Sequence, residues 1–359
     1  MSNVWVARAA IDPPSDRARP PGRGRRRWWR RVSLGVLAFL LVITAALAYV
    51  GLRTSHQITR IPGVFSGLTD RPAPATGAAA HALNVLLLGT DRRSDVATTG
   101  TEALATAWEY GAQRSDTMMV LHLSADRRSA SLISIPRDSW VPIPGHGTAK
   151  VNAAYSWGGP SLAVATVERL TGVRIDHLAV VDWDGYKAMI DALGGIDVTV
   201  PATVHDGYRD VTWTAGSHHL DGAQALLYAR ERSGLPAGDL DRVKRQQAVL
   251  RSLAGRTLSA ASNPWTAYQL VNALTQHLSV DSGWSTKDLV QLLASVRNLK
   301  GSAIDYLTIP TAGTGMTQGQ SVVWVDRTDS ATLWKAVRTD KVAAWATSHP
   351  DLLTGGVVR

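Results

Sequence analysis

Arginine and aspartate side chains are concentrated between residues 114 and 138, at the ends of two apolar runs. The runs Met118–Leu123 and Leu132–Ile135 flank a polar segment, Ala125–Arg128. Two apolar runs of strand length around a short polar break predict a β-hairpin. Because side chains alternate along a strand, the register of this hairpin decides which charged residues meet.

A turn centred in the polar segment places Asp116 opposite Arg137, and Arg114 opposite Ser139. Arg114 and Asp116 then share one face of the hairpin, beside the dipeptide Arg137 and Asp138. Guanidinium and carboxylate groups that converge at the open end of a hairpin suit a phosphate and a divalent cation. The alternative is a set of ordinary surface salt bridges, because strand ends commonly carry charge.

The chain has 359 residues, of which 45% are hydrophobic, which is enough for a membrane anchor and one large domain. It contains no cysteine, so disulfides, thiolate nucleophiles and zinc–cysteine sites are excluded. Residues 1–31 hold nine arginines and two aspartates and so carry +7 of the formal charge of +9. The small remaining charge argues against a nucleic-acid-binding domain.

Residues 1–31 are rich in proline and arginine and lack apolar periodicity, so they are predicted to form a disordered cytoplasmic tail. Residues 32–52 carry no charge and as a helix would span about 30 Å, the thickness of a hydrocarbon core. The arginines before them favour a single-pass anchor in the cell membrane, with a cytoplasmic N-terminus and an extracytoplasmic domain. They suit the anionic lipid of the cytoplasmic membrane better than nucleic acid. A cleaved signal peptide is the alternative, because Ala46–Ala48 resembles a cleavage site.

The extracytoplasmic part is predicted to comprise a linker (53–82), one domain (83–340) and a loosely ordered C-terminal tail (341–359). The domain opens with an unbroken apolar run at Leu83–Asp91, which is typical of a central strand. Asp91 falls at the carboxyl end of this run, where α/β sheets commonly bind ligands. A polar insertion of unpredicted structure, residues 92–113, separates this strand from the hairpin.

The remaining pattern of strands and helices predicts an α/β fold with a mixed sheet. A strand at His177–Val181, a helix at Gly185–Leu193 and a strand at Ile196–Val200 are predicted to form a right-handed βαβ unit. The other predicted elements are helices at Ser161–Leu170, Leu220–Leu227, Ser285–Leu299 and Ala331–Val337, and strands at Ile304–Ile309 and Val322–Val325.

A further helix is predicted from residue 240 to about residue 258, with Asp239 as its cap. Arg242, Arg245 and Gln246 share one face of this helix. That face is either solvated, as charged faces usually are, or part of a site with the nearby Arg230 and Arg232.

Several familiar catalytic motifs are missing from the sequence, which has no G-x-x-x-x-G-K-[S/T] loop and no G-x-S-x-G elbow. What remains is a set of carboxylates and guanidiniums from distant parts of the chain: Asp91, Asp116, Asp138, Arg114, Arg137, Arg230, Arg232, Arg242 and Arg245. Arginine binds phosphate bidentately, and carboxylates suit a hard cation, Mg²⁺ or Mn²⁺, that is shared with substrate phosphates. Such a domain at a membrane is predicted to act on a membrane-held pyrophosphate by positioning and charge neutralisation.

A series of motifs resembles the LytR–CpsA–Psr (LCP) family of cell-envelope glycopolymer ligases. The motifs are NVLLLGTDRR (84–93), RSDT (114–117), IPRD (135–138), KVNAAY (150–155), DALGGIDV (191–198), LDGAQALLYARER (220–232) and DLDRVKRQQ (239–247). Each motif is weak alone, but their joint occurrence in this order, behind one N-terminal anchor, is specific.

The resemblance implies a single extracytoplasmic α/β/α domain that transfers a glycopolymer phosphate from an undecaprenyl-pyrophosphate carrier to peptidoglycan, at the 6-hydroxyl of an N-acetylmuramic acid. It also implies an apolar cleft for the prenyl tail. Matching positions assign Asp91 and Asp116 to the metal, and Asp138 to a role as general base or as orienter of an arginine. The pyrophosphate-binding positions are Arg137, Arg230, Arg232, Arg242 and Gln246, with Arg93 and Arg114 as further candidates, and the expected catalytic group is Arg137, Asp138 and Arg230.

Two other functions stay open at this level. One is a hydrolase that cleaves the polyprenyl pyrophosphate with water as the acceptor. The other is a non-enzymatic polyprenyl-phosphate-binding regulator of the envelope, although the cytoplasmic tail shows no helix-turn-helix pattern for direct transcriptional control. The sequence does not identify the glycopolymer.

Overall fold

The computed structural model describes residues 58–92, 113–231, 235, 239–260, 264–296, 299 and 301–353. The predicted cytoplasmic tail and membrane anchor, and all but the two ends of the predicted insertion, lie outside the described residues. In the part of the chain that is described, no helix is long and apolar enough to cross a membrane.

The centre of the fold is a seven-stranded sheet. Its strands are β1 (Thr59–Ile61), β2 (Leu83–Arg92), β3 (Gln113–Leu123), β4 (Ala130–Ser134), β7 (His177–Asp182), β12 (Leu278–Asp281) and β13 (Ile304–Thr308). Their spatial order is β1-β12-β7-β2-β3-β4-β13. The sheet is mixed, as predicted, because β2 runs parallel to β7 and antiparallel to β3.

Helices and small hairpins surround this sheet. The helices are α1 (Asn152–Thr171), α2 (Trp183–Ala192), α3 (Gly222–Arg230), α4 (Asp239–Ala260), α5 (Pro264–His277), α6 (Thr286–Ser295), α7 (Arg327–Arg338) and α8 (Val342–Ser348). The strand pairs outside the central sheet are β5 (Trp140–Ile143) with β6 (Gly147–Lys150), β8 (Ile196–Val200) with β11 (Gly216–Leu220), β9 (Val204–Asp206) with β10 (Val211–Trp213), and β14 (Thr311–Thr317) with β15 (Gln320–Val325).

Strand β2 is apolar on both faces because helices cover both sides of the sheet. Leu86 and Leu88 are buried in a core that also contains residues of α1, α7 and α8. Val85 and Leu87 alternate to the other face, where they pack with apolar residues of α6, and Leu87 also with Leu250 of α4. The three layers agree with the predicted α/β/α arrangement, and β2 is the central strand that its apolar run indicates.

The register of the β3–β4 hairpin is the predicted one. Met119 pairs with Ser134, and Leu123 pairs with Ala130, around a turn in the polar segment 125–128. Both faces of the hairpin are apolar and covered, so the position of the turn, and not the burial of one face, sets this register. The hairpin therefore brings the predicted charged residues to the same end of the sheet.

The predicted βαβ unit is wrong, because β8 does not join the central sheet. It pairs antiparallel with β11 in a separate two-stranded sheet. The reason lies in its pattern: Ile196, Val198 and Val200 are buried, while Asp197 and Thr199 between them are exposed. A strand with one solvated face suits an outlying hairpin better than the interior of a covered sheet.

The folded unit extends beyond both predicted borders of the domain. In the segment assigned to the linker, β1 pairs with β12, and Ile61 and Val64 are buried in the main core. In the segment assigned to a loosely ordered tail, α8 buries Val342 and Ala346 in the same core. These short apolar stretches lack the length that makes an element recognisable in sequence.

Two helices begin elsewhere than predicted. Helix α3 begins at Gly222, since Leu220 closes β11 and Asp221 is the N-cap residue. Helix α1 begins at Asn152, nine residues before the predicted start, and has non-helical backbone angles at Gly158 and Gly159. Its predicted end is confirmed by Gly172, which adopts the left-handed conformation that glycine favours.

Candidate active site

Asp116 lies at a β-bulge near the N-terminal end of strand β3. The β2–β3 ladder pairs Gly89 with Thr117 and then Thr90 with Ser115, so Asp116 is the extra residue. A bulge redirects one side chain out of the regular alternation. Glycine suits position 89 because an added Cβ would lie 3.0 Å from Cβ of Thr117. The buried carboxylate of Asp116 is thereby set at the centre of the candidate site.

Arg137 reaches Asp116 from the chain that leaves strand β4. The strand ends at Ser134, but the backbone N–H of Ile135 still donates to the carbonyl of Met118 at 2.9 Å, which continues the hairpin register. Nη1 of Arg137 forms an ion pair with Oδ1 of Asp116. The predicted meeting of these two residues is therefore confirmed.

Asp138 is buried beside this pair and is oriented by two cations. Its Oδ1 lies 3.1 Å from Nζ of Lys150, and its Oδ2 lies 3.9 Å from Nε of Arg137. Lys150 closes the β5–β6 hairpin that follows directly after Asp138. The arrangement places a second carboxylate next to the guanidinium of Arg137.

Arg230 approaches the same carboxylate from the C-terminal end of helix α3. Its Nη2 lies 3.9 Å from Oδ2 of Asp116. Its guanidinium carbon lies 5.4 Å from the ring centroid of Trp183, within the range of a cation–π contact. A capping box between Asp221 and Gln224 fixes the start of the helix. Asp116 thus has one arginine at each carboxylate oxygen.

The polar face of helix α4 is buried, so its interpretation as a solvated face is wrong. Arg242 and Arg245 are each only 3% exposed, and Gln246 is buried as well. Arg245 forms an ion pair with Glu231, and its guanidinium carbon lies 4.4 Å from the ring centroid of Tyr228. Arg245 therefore belongs to the structural support of the site, although the sequence groups it with the phosphate-binding arginines.

Glu231, which follows Arg230 directly, is 0% exposed. Burial raises the pKa of its carboxyl to about 7, since the loss of solvation outweighs the favourable charge of Arg245 and Arg209. The nearby charge of Asp206 raises the pKa of Glu231 further. The Glu231–Arg245 pair joins the C-terminal end of α3 to α4.

Four other predicted residues are described only in part or not at all. Asp91 and Arg114 are paired across β2 and β3, next to the bulge, but their side chains lie outside the description. Arg93 and Arg232 lie outside the described residues entirely. Their membership of the site stays a prediction.

An apolar cleft with a volume of about 170 Å³ opens beside the charged residues. Thr117, Ala229 and Gln246 line it, and the first two are chain neighbours of Asp116 and Arg230. Its other lining residues come from the sheet and from helices α2 and α4: Leu87, Leu88, Gly89, Met119, Ala179, Val181, Asp182, Trp183, Tyr186, Met189, Leu250, Leu253 and Leu278. The site therefore combines an arginine–carboxylate cluster with an adjoining surface suited to a hydrocarbon chain.

The model of the LytR_cpsA_psr family matches residues 66–339 of the chain. The chain belongs to the LytR_cpsA_psr family. It is 33% identical over 324 residues to a Corynebacterium glutamicum protein named "Probable cell wall biosynthesis protein LcpB". This match covers 88% of this chain and 74% of that protein. It is 29% identical over 290 residues to Bacillus subtilis "Polyisoprenyl-teichoic acid--peptidoglycan teichoic acid transferase TagT". This second match covers 78% of this chain and 85% of that protein.

Solved structures of family members have the same fold. The crystal structure of B. subtilis TagV matches with a TM-score of 0.58 at 27% identity, over 72% of this chain and 97% of that one. A structure of TagT with bound octaprenyl pyrophosphate lipid matches with a TM-score of 0.54 at 23% identity, over 76% of this chain and 97% of that one. TagT, another protein with this fold, is therefore known with a prenyl pyrophosphate bound.

The predicted metal ligands of this site suit a hard divalent cation only if substrate phosphates complete its coordination. Within the described residues there is no cluster of three acidic or histidine side chains that could hold a metal alone. Asp116 offers one carboxylate, and Asp91, whose side chain is not described, is the second predicted ligand. Mg²⁺ is commonly bound by one or two carboxylates together with substrate phosphates. The fit thus depends on phosphate oxygens to complete the shell.

Three residues at the site escape prediction from charge and spacing. Trp183 is one of many tryptophans, and nothing in its spacing links it to Arg230. Lys150 stands in the KVNAAY motif of the family, which is the signal that could have identified it as the partner of Asp138. Glu231 stands between two arginines in the YARER motif, where its burial is not visible in sequence.

Proposed function

We propose that this chain transfers a glycopolymer phosphate from an undecaprenyl-pyrophosphate carrier to peptidoglycan, at the 6-hydroxyl of an N-acetylmuramic acid. The observation that carries the proposal is the position of Asp116, Arg137 and Arg230 beside the apolar cleft. A prenyl pyrophosphate is the substrate class whose two halves match these two surfaces. The names of LcpB and TagT, which refer to cell-wall biosynthesis and to transfer onto peptidoglycan, support the same assignment.

The arginines are the pyrophosphate-binding groups of the proposed reaction. Arg137 and Arg230 turn from Asp116 to the non-bridging oxygens, where each charged hydrogen bond contributes about 1.5–3 kcal/mol. Arg242 and Gln246, on the buried face of α4, are further proposed pyrophosphate-binding residues. Asp116 and Asp91 are the proposed ligands of Mg²⁺ or Mn²⁺, which neutralises charge on the phosphate oxygens when it is bound.

In the proposed transfer step, the acceptor hydroxyl oxygen attacks the phosphorus that carries the glycopolymer. The bond from this phosphorus to the bridging oxygen breaks, and undecaprenyl phosphate leaves with that oxygen. The hydroxyl proton passes to the carboxylate of Asp138, which lies next to Arg137. The prenyl chain stays in the apolar cleft, and residues 32–52 are proposed to anchor the domain on the outer side of the cell membrane.

The test is a transfer assay with the purified chain, Mg²⁺, a lipid-linked pyrophosphate donor and peptidoglycan fragments. We expect Arg137→Ala to lower turnover about 100-fold or more, as for the loss of an electrostatic stabiliser of a transition state. Arg128→Ala, at the exposed hairpin turn, is the matched control. Wild-type turnover by the Arg137 variant would overturn the proposal.

Two further arms of this assay distinguish the alternatives. Phosphate-ester cleavage that continues undiminished when peptidoglycan is omitted would identify a hydrolase. Tight binding of the prenyl pyrophosphate without any turnover, under all metal conditions, would identify a non-enzymatic regulator.

A further inference from the structure

A second groove, with a volume of about 470 Å³, lies between the β5–β6 hairpin, the C-terminal end of α1 and helix α7. Three tryptophans line it: Trp140, Trp324 and Trp334. The indole of Trp324 is 36% exposed and lies against Gly315, where an added Cβ would be 2.6 Å from its Nε1. Trp334 is buried, and its Nε1 has no hydrogen-bond partner in the part of the chain that the structure describes.

Among the described residues that line this groove, the charged side chains are all arginines. Arg169 and Arg327 are exposed, and Nη1 of Arg338 donates to the carbonyl of Thr171 at 2.8 Å, at the end of α1. Two acidic residues are chain neighbours of these arginines, and both carboxylates are engaged elsewhere: Asp326 caps helix α7, and Glu168 forms an ion pair with Arg71 at 2.7 Å. The groove therefore combines flat aromatic surfaces with a positive potential, which suits an anionic saccharide.

The groove is connected to the candidate active site at Asp138. The backbone N–H of Val323, the neighbour of Trp324, donates to the carbonyl of Asp138 at 2.9 Å. On the other side, Trp140 pairs with Lys150 across the β5–β6 hairpin, and Lys150 contacts the carboxylate of Asp138. Of the described residues, none lines both the apolar cleft and this groove.

We propose that this groove binds the acceptor, a peptidoglycan glycan strand, and aligns its hydroxyl with Asp138; the inference rests on the proposed transfer function. The apolar faces of sugar rings stack on the exposed indole of Trp324 and beside the half-buried Trp140, and the arginines pair with the carboxylates of the stem peptides. The donor pyrophosphate is repelled by Asp138 and held by the arginines around Asp116. An acceptor hydroxyl, in contrast, needs the carboxylate, so the groove whose walls are bonded to Asp138 and paired with Lys150 is assigned to the acceptor.

The experiment compares the full-length wild type with Trp324→Ala and with the double variant Arg169→Gln/Arg327→Gln. Soluble peptidoglycan fragments and a lipid-linked donor are varied separately in the transfer assay. We expect the KM for peptidoglycan to rise about tenfold in each groove variant, with the change absent from the KM for the donor. Trp265→Ala, which removes a tryptophan 64% exposed on α5, is the matched control.

Direct binding of the same fragments to each variant, measured by calorimetry without donor, separates this inference from the proposed function. Wild-type affinity for peptidoglycan in both groove variants would overturn the inference even if transfer itself is confirmed. A rise in the donor KM instead would assign the groove to the donor glycopolymer and also overturn it. Failure of the wild type to transfer would contradict the proposed function, while the binding comparison would still show whether the groove binds peptidoglycan.

Discussion

Arg137 and Asp116, 21 residues apart in the chain, form an ion pair. Arg137 follows strand β4, and Asp116 lies at the bulge of the neighbouring strand β3. Arg230 lies 3.9 Å from the other carboxylate oxygen of Asp116. Without a pyrophosphate, the carboxylate acts as the counter-charge that keeps two guanidiniums together. In the proposed function, the same guanidiniums are pre-positioned for the phosphate oxygens of a pyrophosphate, and the carboxylate is then free to bind the proposed cation.

The first prediction follows from this double role of Asp116. In Asp116→Asn, the arginines lose their counter-charge and the proposed metal loses an anionic ligand. We expect the Mg²⁺ concentration for half-maximal transfer to rise about tenfold or more, because an amide oxygen is a weaker ligand for a hard cation. The measurement is a Mg²⁺ titration of the transfer rate after treatment with a chelator. Asp126→Asn, at the exposed turn of the same hairpin, is the control, and an unchanged Mg²⁺ requirement for Asp116→Asn would contradict the assignment.

The second prediction concerns how helix α3 places Arg230. A Cβ at Gly222 would overlap the backbone carbonyl oxygen of Lys187 on helix α2. We expect Gly222→Ala to lower the free energy of unfolding by about 1–3 kcal/mol through overpacking, and to lower the transfer rate because Arg230 moves with its helix. Both are measurable by chemical denaturation and by the transfer assay.

Gly255→Ala is the matched control for this second prediction. Gly255 lies in helix α4 with nothing within 4 Å of an added Cβ. Alanine should raise the free energy of unfolding there by about 0.5–1 kcal/mol, because it favours the helical backbone. Equal destabilisation by both substitutions would mean that the contact with Lys187 does not position α3.

The hairpin that brings Asp116 and Arg137 together is predictable because the short polar segment 125–128 between its two apolar runs locates the turn, and the turn sets the register. The bulge at Asp116 is not, because one extra residue between Ser115 and Thr117 leaves the polar pattern unchanged. The sequence thus predicts which residues meet, but not the local geometry that aims the carboxylate.

The limits are different on helix α4. Arg242 and Arg245 lie one turn apart and are equivalent in spacing, charge and propensity. Only the fold shows that Arg245 is paired with Glu231 and stacked on Tyr228. The family resemblance implies an apolar cleft, but the residues that line it escape prediction, because they come from several strands and helices that meet only in the folded chain.

The third prediction is a pH dependence that belongs to Glu231. Its pKa is about 7 in the folded state, against an ordinary value of 4.5. Between these two values the folded state holds a proton that the unfolded state has released, so the free energy of unfolding falls as pH rises from about 4.5 to about 7. The contribution is on the order of 3 kcal/mol over this window.

Glu231→Gln removes the titrating group while the side chain keeps its size. We expect the decline in the free energy of unfolding over this pH window to be shallower in the variant than in the wild type, as measured by urea denaturation at several pH values. Superimposable pH profiles for the two proteins would mean that the Glu231 carboxyl is already ionised throughout the window.

The fourth prediction tests the apolar cleft as the site of the prenyl chain. Leu250 lines the cleft from helix α4, while Leu227 is exposed on helix α3 outside it. A carboxylate at position 250 makes the burial of hydrocarbon beside it unfavourable. We therefore expect Leu250→Glu to raise the KM for a long-chain prenyl-pyrophosphate donor about tenfold or more, and Leu227→Glu to leave it near the wild-type value. The decisive comparison uses a donor with a short prenyl chain, which buries little surface in the cleft: the penalty of Leu250→Glu should shrink with chain length, and an equal penalty for both donors would place the lipid elsewhere.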